Sequence, residues 1–313
     1  MADSGNEKHI DYPRTNRLLT QYNTLKMSFN IVVLAKQVPD TRNVGKDAMK
    51  ADGTVNRSAL AAIYNPEDLN ALEQALRLKS KIGDATVQVL TMGPARAAEI
   101  IRESMYRGAD GGFLLSGREF AGSDTLATSY ALAAAIRKMG KVDLILSGRQ
   151  AIDGDTAQVG PQVAEKLGFP QITYAEEIID LDKDSITVRR RLERGVEIVR
   201  GPLPILVTVN GSAAPCRPRH AKLTLKYKNA KTISEQQTSS SDYTDTYHTY
   251  IIPEWGAGDI EHEPQWLGLS GSPTKVKQIE NVVFTAKESK QLTAVDADIE
   301  ELMKELIANH TIG

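Results

Sequence analysis

Cysteine is almost absent from this chain. Cys216 is the only one in 313 residues, which excludes an internal disulfide framework and any Cys-rich metal site. Aromatic residues make up only 5%. No stretch approaches the ~18 uninterrupted apolar residues that a membrane span requires. Residues 1–27 lack the apolar core of a secretion signal, so a cytoplasmic location is expected. Charge of one sign is not in excess either: 38 Lys and Arg stand against 40 Asp and Glu, a formal net charge of −2. That balance is unlike a general nucleic-acid binder. Familiar site motifs are missing as well, with no G-x-G-x-x-G, G-x-x-x-x-G-K-[ST], G-x-S-x-G or H-E-x-x-H. The histidines are dispersed, with His220, His248, His262 and His310 in arm or tail segments, and no pair stands at helical spacing, against a metal centre or a His triad. Cys216 has no base indicated near it and is expected to be a structural thiol.

What is present is the composition of an ordinary globular protein, 41% hydrophobic and 25% charged, long enough for one large domain and something smaller. Residues 1–27 show no sustained period. They are expected to form a flexible extension, with a partner-binding or targeting segment as the other reading. From Asn30 onward short apolar, β-branched runs at Ile31–Ala35, Thr86–Thr91, Phe113–Leu115 and Leu144–Ser147 alternate with helix-length segments. Asn65-Pro66-Glu67-Asp68 offers an N-cap, a proline whose missing N–H costs nothing, and two carboxylates at the positive end of the helix dipole. Leu69, Leu72 and Leu76 come next as the apolar stripe. Ala97, Ile100, Ile101 and Met105 mark a second helix ending before Gly108, and Ser123-Asp124-Thr125 opens a third that closes at Gly140. A fourth is expected to open near Asp155-Thr156, capped by Asp155, and to end at Gly168. Regular alternation of this kind predicts a doubly wound α/β fold, a mostly parallel sheet covered by helices on both faces.

The period then changes. Ser185–Arg191 and Val196–Arg200 flank Glu193-Arg194-Gly195 and predict a hairpin whose arginines are engaged in ion pairs, in preference to an anion site. Leu203–Val209 predicts a buried strand. Residues 216–231 carry six Lys and Arg and no carboxylate, and 232–250 are polar, a composition of loop or arm. Val295, Ile299, Leu302, Met303, Leu306 and Ile307 predict an amphipathic helix over 294–308, which needs a surface to dock on. The expected organisation is an extension at 1–27, an α/β domain at 28–220 and a partner-binding arm with its terminal helix at 221–313.

In an open parallel sheet, ligands bind at the carboxyl edge of the strands. The run Ser147-Gly148-Arg149-Gln150-Ala151-Ile152-Asp153-Gly154-Asp155-Thr156-Ala157-Gln158-Val159-Gly160-Pro161 lies there, after a strand and before a helix. Its N–H groups at Thr156–Val159 suit a phosphate, and Gly148 and Gly154 permit close approach. Asp153 and Asp155 would repel an anion unless Arg149, a metal or an outward orientation relieves them. A nucleotide loop and an ordinary strand-to-helix turn both remain open on these grounds. Lys36–Asp40, Thr91–Pro94 and Gly122–Thr128 aim at the same edge.

The runs Val33–Asp40, Asn65–Asp68, Thr91–Pro94 and above all Arg149–Pro161 resemble the β subunit of electron transfer flavoprotein, in order over about residues 28–220. The resemblance implies a Rossmann-like, adenine-nucleotide-binding domain. It implies half of an αβ heterodimer that passes electrons between acyl-CoA dehydrogenase and other redox partners, with the electron-delivering FAD held by the α subunit. Carried over by position, the nucleotide site comprises Leu34, Ala35, Asn65, Pro66, Glu67, Asp68, Met92 and Gly148 to Val159. No catalytic residue and no metal ligand is implied. In simple carriers of the family the site takes AMP, and in bifurcating members a second FAD that accepts hydride from NADH, with ferredoxin a further partner. Ala157-Gln158-Val159 and Gly271-Ser272-Pro273-Thr274 resemble the bifurcating type, which favours FAD and NADH oxidation as part of a complex. The family's partner-recognition loop lies at Arg217–Lys231, where the side chains differ. The segment 232–252 resembles an insertion. Rival readings are a nucleotide-responsive ATP-binding module, against which the absent Ser-Gly-Gly-x-Asp-Ser loop counts, and a structural subunit with a vestigial site.

Overall fold

The computed structural model describes residues 28–40, 61–238, 250–274, 289–309 and 311–312. The expectations for 1–27 and for most of the insertion lie outside them. In chain order, β1 (Phe29–Leu34) leads to a small antiparallel pair, β2 (Gln37–Pro39) and β3 (Ala62–Tyr64). Then come α1 (Pro66–Ile82), β4 (Ala85–Met92), α2 (Ala98–Arg107), β5 (Gly111–Leu115), α3 (Thr125–Met139), β6 (Leu144–Gly148) and α4 (Val159–Leu167). β7 (Gln171–Leu181), β8 (Ser185–Leu192) and β9 (Gly195–Pro202) precede β10 (Ile205–Val209). The remaining elements are α5 (Ala221–Tyr227), β11 (Lys231–Thr232), α6 (Ile233–Thr238), β12 (Ile251–Ile252), β13 (Glu254–Trp255) and α7 (Asp296–Ala308).

Among the described residues these strands build a nine-stranded sheet in the order β13-β5-β4-β1-β6-β10-β7-β8-β9. Pairing is parallel from β13 through β7 and antiparallel across β7, β8 and β9. β1 is apolar on both faces because both are covered. Ile31 and Val33 pack with Leu72 of α1 and Ile101 of α2, while Val32 and Leu34 pack with Leu132 of α3 and Val163 of α4. Each fully buried side chain of this size contributes about 1.5–3 kcal/mol. The doubly wound expectation and its mostly parallel sheet hold.

Three local expectations do not. α4 begins at Val159. Asp155 and Ala157 sit at φ of 49° and 53°, a left-handed conformation that stops a helix from starting among them. Asp155 does not cap it, since its carboxylate accepts from Gln150 Nε2 at 2.7 Å. Asn65 opens α1 through its carbonyl, which accepts from the N–H groups of Asp68 and Leu69, while its side chain makes no cap bond. Residues beyond 220 are not wholly an arm. Glu254 and Trp255 of β13 pair with Leu114 and Leu115 of β5, Ala230 and Ile252 lie in the core, and the compact unit runs to residue 275.

The hairpin expectation is met: Arg191 pairs with Glu176 at 2.8 Å, Arg190 with Glu197 at 3.3 Å and Arg200 with Asp182 at 2.9 Å. The second compact unit is described through α7. That helix buries no side chain, and Val295, Ile299, Met303 and Ile307 remain exposed.

One side chain ties the centre together. Asp68, 6% exposed, accepts from the N–H of Lys36 just past β1 and from the N–H of Gly148 at the end of β6, each at 2.9 Å. Gly148 must be glycine, because a Cβ there would overlap the Asp68 carboxylate and lie 2.8 Å from the Glu67 backbone. Burial pushes the Asp68 carboxyl up to about 7, against the opposing pull of the Lys36 N–H, the Asn65 side chain and the Gly148 N–H. The folded protein therefore holds a proton that the unfolded chain, with its ordinary carboxylate near about 4, has released. Stability from this group is full below about pH 4 and is lost as pH rises through about 7. Asp68→Asn cannot titrate and is expected to flatten the fall in unfolding free energy between pH 4 and pH 8. Asp68→Ala leaves two buried N–H groups unpaired and should cost about 2–5 kcal/mol. Urea unfolding at several pH values checks both, and an unchanged pH slope in Asp68→Asn would remove Asp68 as its source.

Candidate functional site

Chain order reverses direction at β1, whose neighbours β4 and β6 are reached by crossovers on opposite faces. Such a switch point opens a crevice at the carboxyl ends of the strands. The cleft found there measures about 410 Å³, within the roughly 300–1,000 Å³ usual for small-molecule sites. Its walls are apolar where the strands end, at Leu34, Leu90, Met92, Phe120 and Leu132, and polar where helices begin, at Ser123–Thr125 and Thr156–Gly160.

Leu34, Ala35, Asp68, Met92, Gly148, Arg149, Gln150, Ala151, Asp153, Gly154, Thr156, Ala157, Gln158 and Val159 line this cleft. Asn65, Pro66, Glu67, Ile152 and Asp155 do not. Instead Asn65 Nδ2 donates to the Gln150 carbonyl at 2.9 Å and its Oδ1 accepts from Ile152 N at 3.2 Å. Glu67 accepts from Gln150 N at 3.0 Å and pairs with Arg149 at 3.3 Å. Of the two glycines expected to admit a ligand, Gly154 has open space where a Cβ would stand, whereas Gly148 faces Asp68.

Lys36, Thr125, Thr128 and Ser147, from runs expected at this edge, also line the cleft, and Leu90, Phe120 and Leu132 join them from outside the expected runs. Some were within reach of strand register alone, for Leu34 stands level with Leu90 on β4 and with Ser147 on β6. Lys36 Nζ holds both oxygens of Asp153 at 2.8 Å. Asp124 caps α3 through the N–H groups of Leu126 and Ala127 and also accepts from Thr274 N at 3.0 Å. Burial alone would raise its carboxyl, but the backbone donors of Ala127, Thr274 and Leu126 more than offset this and hold it below the usual range. Ser272, 3% exposed, accepts from Asp124 N at 2.8 Å and donates to the Gly268 carbonyl.

Two features fit a phosphorylated ligand. Among the described residues, the backbone N–H groups of Thr156 to Gly160 donate to no other group, and the left-handed turns at Asp155 and Ala157 alternate with right-handed backbone at Gln158, φ −102°. Successive N–H groups on such a backbone form an anion-binding concavity. The run of undonated N–H groups thus lies in this loop, where the sequence pointed to a helix start. Ser147, on the cleft floor and 6% exposed, has a buried hydroxyl with no partner, and a buried polar group left so calls for a ligand or a water. Burial pushes the Cys216 thiol up to about 11, which keeps it protonated, and no group of three His, Cys, Asp or Glu among the described residues could hold a metal. No described helix is long and apolar enough to cross a membrane.

The electron transfer flavoprotein domain model matches residues 52–237. The chain is 43% identical over 249 residues to the electron transfer flavoprotein subunit beta of Clostridium acetobutylicum, covering 80% of this chain and 86% of that one. It is 43% identical over 246 residues to the caffeyl-CoA reductase-Etf complex subunit CarD of Acetobacterium woodii, covering 79% and 85%. It is 41% identical over 288 residues to the acryloyl-CoA reductase electron transfer subunit gamma of Anaerotignum propionicum, covering 90% and 99%. A doubly wound sheet with its cleft at the switch point, a family match over more than half the chain and these relatives together establish that the chain belongs to the electron transfer flavoprotein family, as a β-type subunit.

Proposed function

We propose that this chain holds FAD in the cleft at the ends of β1, β4 and β6, and that with an α subunit it passes electrons from NADH to an acyl-CoA dehydrogenase and a ferredoxin-class acceptor by flavin-based bifurcation. The observation that carries the nucleotide reading is the run of unpaired N–H groups at Thr156–Gly160, set against apolar walls wide enough for a planar base. Bound FAD supplies two-electron acceptance from a nicotinamide and one-electron delivery to separate acceptors. The protein's own part is placement. Leu34, Leu90 and Met92 enclose the base, the 156–160 loop holds phosphate, and Ser147 offers one hydroxyl on the floor. The resemblance of Gly271–Thr274 to the bifurcating type supports FAD over AMP, and that segment is bonded to Asp124 at the cleft mouth. Relatives named for caffeyl-CoA and acryloyl-CoA reductases support a CoA-ester partner. The exposed apolar stripe of α7 supports a partner subunit as its cover.

Nucleotide content of the purified αβ complex, read by visible spectrum and chromatography after denaturation, tests this. Two FAD per heterodimer, bleached by NADH, are expected. One FAD with one AMP would replace bifurcation by simple carriage, and hydrolysis of ATP by the chain alone would favour the rival module. Ser147→Ala removes a hydroxyl that makes no bond within the fold. It should weaken nucleotide binding about fivefold to tenfold while leaving the unfolding midpoint of the stripped complex no lower, by titration calorimetry and thermal melting.

A further inference from the structure

Asn65 is completely buried and yet lines no part of the cleft. Its side-chain amide has both its faces committed to one stretch of chain, donating to the carbonyl of Gln150 and accepting from the N–H of Ile152. A strand paired in parallel with Ala151 would make the same two bonds, so a side chain here replaces a missing strand. Two residues on, in the first turn of α1, Glu67 takes the N–H of Gln150 and pairs with the Arg149 guanidinium. The anchored stretch in turn organises the residues after it. The Ala151 carbonyl accepts from Gly154 N at 3.3 Å and Asp155 N at 2.9 Å, and the Gln150 amide holds the Asp155 carboxylate. Asp155 and Ala157 are thereby kept left-handed, the conformation that spreads the N–H groups of residues 156–160.

We propose that Asn65 and Glu67 are positioning residues that hold the 150–160 loop in its anion-binding form without touching the ligand. The proposal rests on the reading that the cleft takes an adenine nucleotide. It moves both residues from the ligand's contact set, where family resemblance put them, to the loop's support. Pre-organisation of this kind acts on affinity by removing an ordering cost from the binding step.

The test uses the αβ complex stripped of nucleotide, with AMP as the probe in titration calorimetry and amide hydrogen exchange as the second readout. Asn65→Ala and Glu67→Ala are each expected to weaken AMP binding about tenfold. Both should speed exchange at residues 150–158 before any AMP is added, with α1, β1 and β6 still protected. Glu67→Gln keeps an acceptor for Gln150 N and should restore most of the affinity. Unchanged affinity in both alanine variants overturns the proposal. Weaker binding with unaltered loop exchange also overturns it, since the residues would then touch the ligand. Faster exchange spread over α1, β1 and β6 in both variants does so too, by reducing their role to general stability. Failure of the wild-type complex to bind AMP or FAD would instead overturn the nucleotide reading, an outcome visible without any variant.

Discussion

The cleft exists because two parallel strands are fastened to one helix by a single buried carboxylate. Asp68 takes the N–H beyond the last residue of β1 and the N–H at the last residue of β6. The β1–β6 ladder ends at Leu34 and Ser147, so neither N–H finds a partner on the strand opposite, and buried N–H groups left unpaired would each cost about 1–3 kcal/mol. With the α1 side sealed in this way, the strand ends open toward the face between α3 and α4. The absence of a side chain at Gly148 lets α1 come close enough for the bonds to form. A second close approach repeats the device on the other face. A Cβ at Gly160 would stand 2.9 Å from Ser147 Oγ and from Thr208 Cγ2, so α4 can start directly above the cleft floor.

Legibility of the fold followed burial. β1, β5, β6 and β10 are largely buried on both faces and read as mainly apolar runs, β4 keeps a β-branched pattern interrupted by Gln88, and the four covering helices carry stripes that only a helix aligns. β7 had no such signal. It is half-exposed, polar in its middle, and broken by Tyr174 at φ 59° and by shifts of register against both neighbours. β13 is equally silent, because two residues suffice to extend a sheet edge and no period can be read from two. The basic stretch that begins at Cys216 failed for a different reason. Its basic residues suggested a solvated arm, but carboxylates distant in sequence neutralise some of them: Arg217 meets Glu73 on α1 and Arg219 meets Glu103 on α2.

At the site, local motif and tertiary register each supplied part. The loop at 148–159 is legible because its composition is unusual and its place after a parallel strand is dictated by topology. Leu90 carries no local mark at all; it enters the cleft because it stands level with Leu34 across the sheet, as Ser147 at the head of the loop does on the other side. Asp155 misled for a physical reason. An Asp followed by Thr before an apolar stripe is what a helix cap looks like, and only the Gln150 amide, five residues back, turns that carboxylate aside.

The carboxylates around the cleft pose the sharpest electrostatic question, since Glu67, Asp68, Asp124 and Asp153 all lie close to a site read as anion-binding. Each is spent within the fold. Asp68 is held by backbone at Lys36 and Gly148, Asp124 by the start of α3 and Thr274, Glu67 by Gln150 N and Arg149, and Asp153 by Lys36. Arg149 and Lys36 are consumed in the same bonds, so no cationic side chain is left over for a phosphate among these groups. What remains is the polarity of the backbone at 156–160, a set of partial charges whose field is strong at hydrogen-bond distance and fades beyond it. A site built in this way draws its ligand by shape and close contact. Long-range attraction contributes little, which is consistent with a chain whose charges sum nearly to zero.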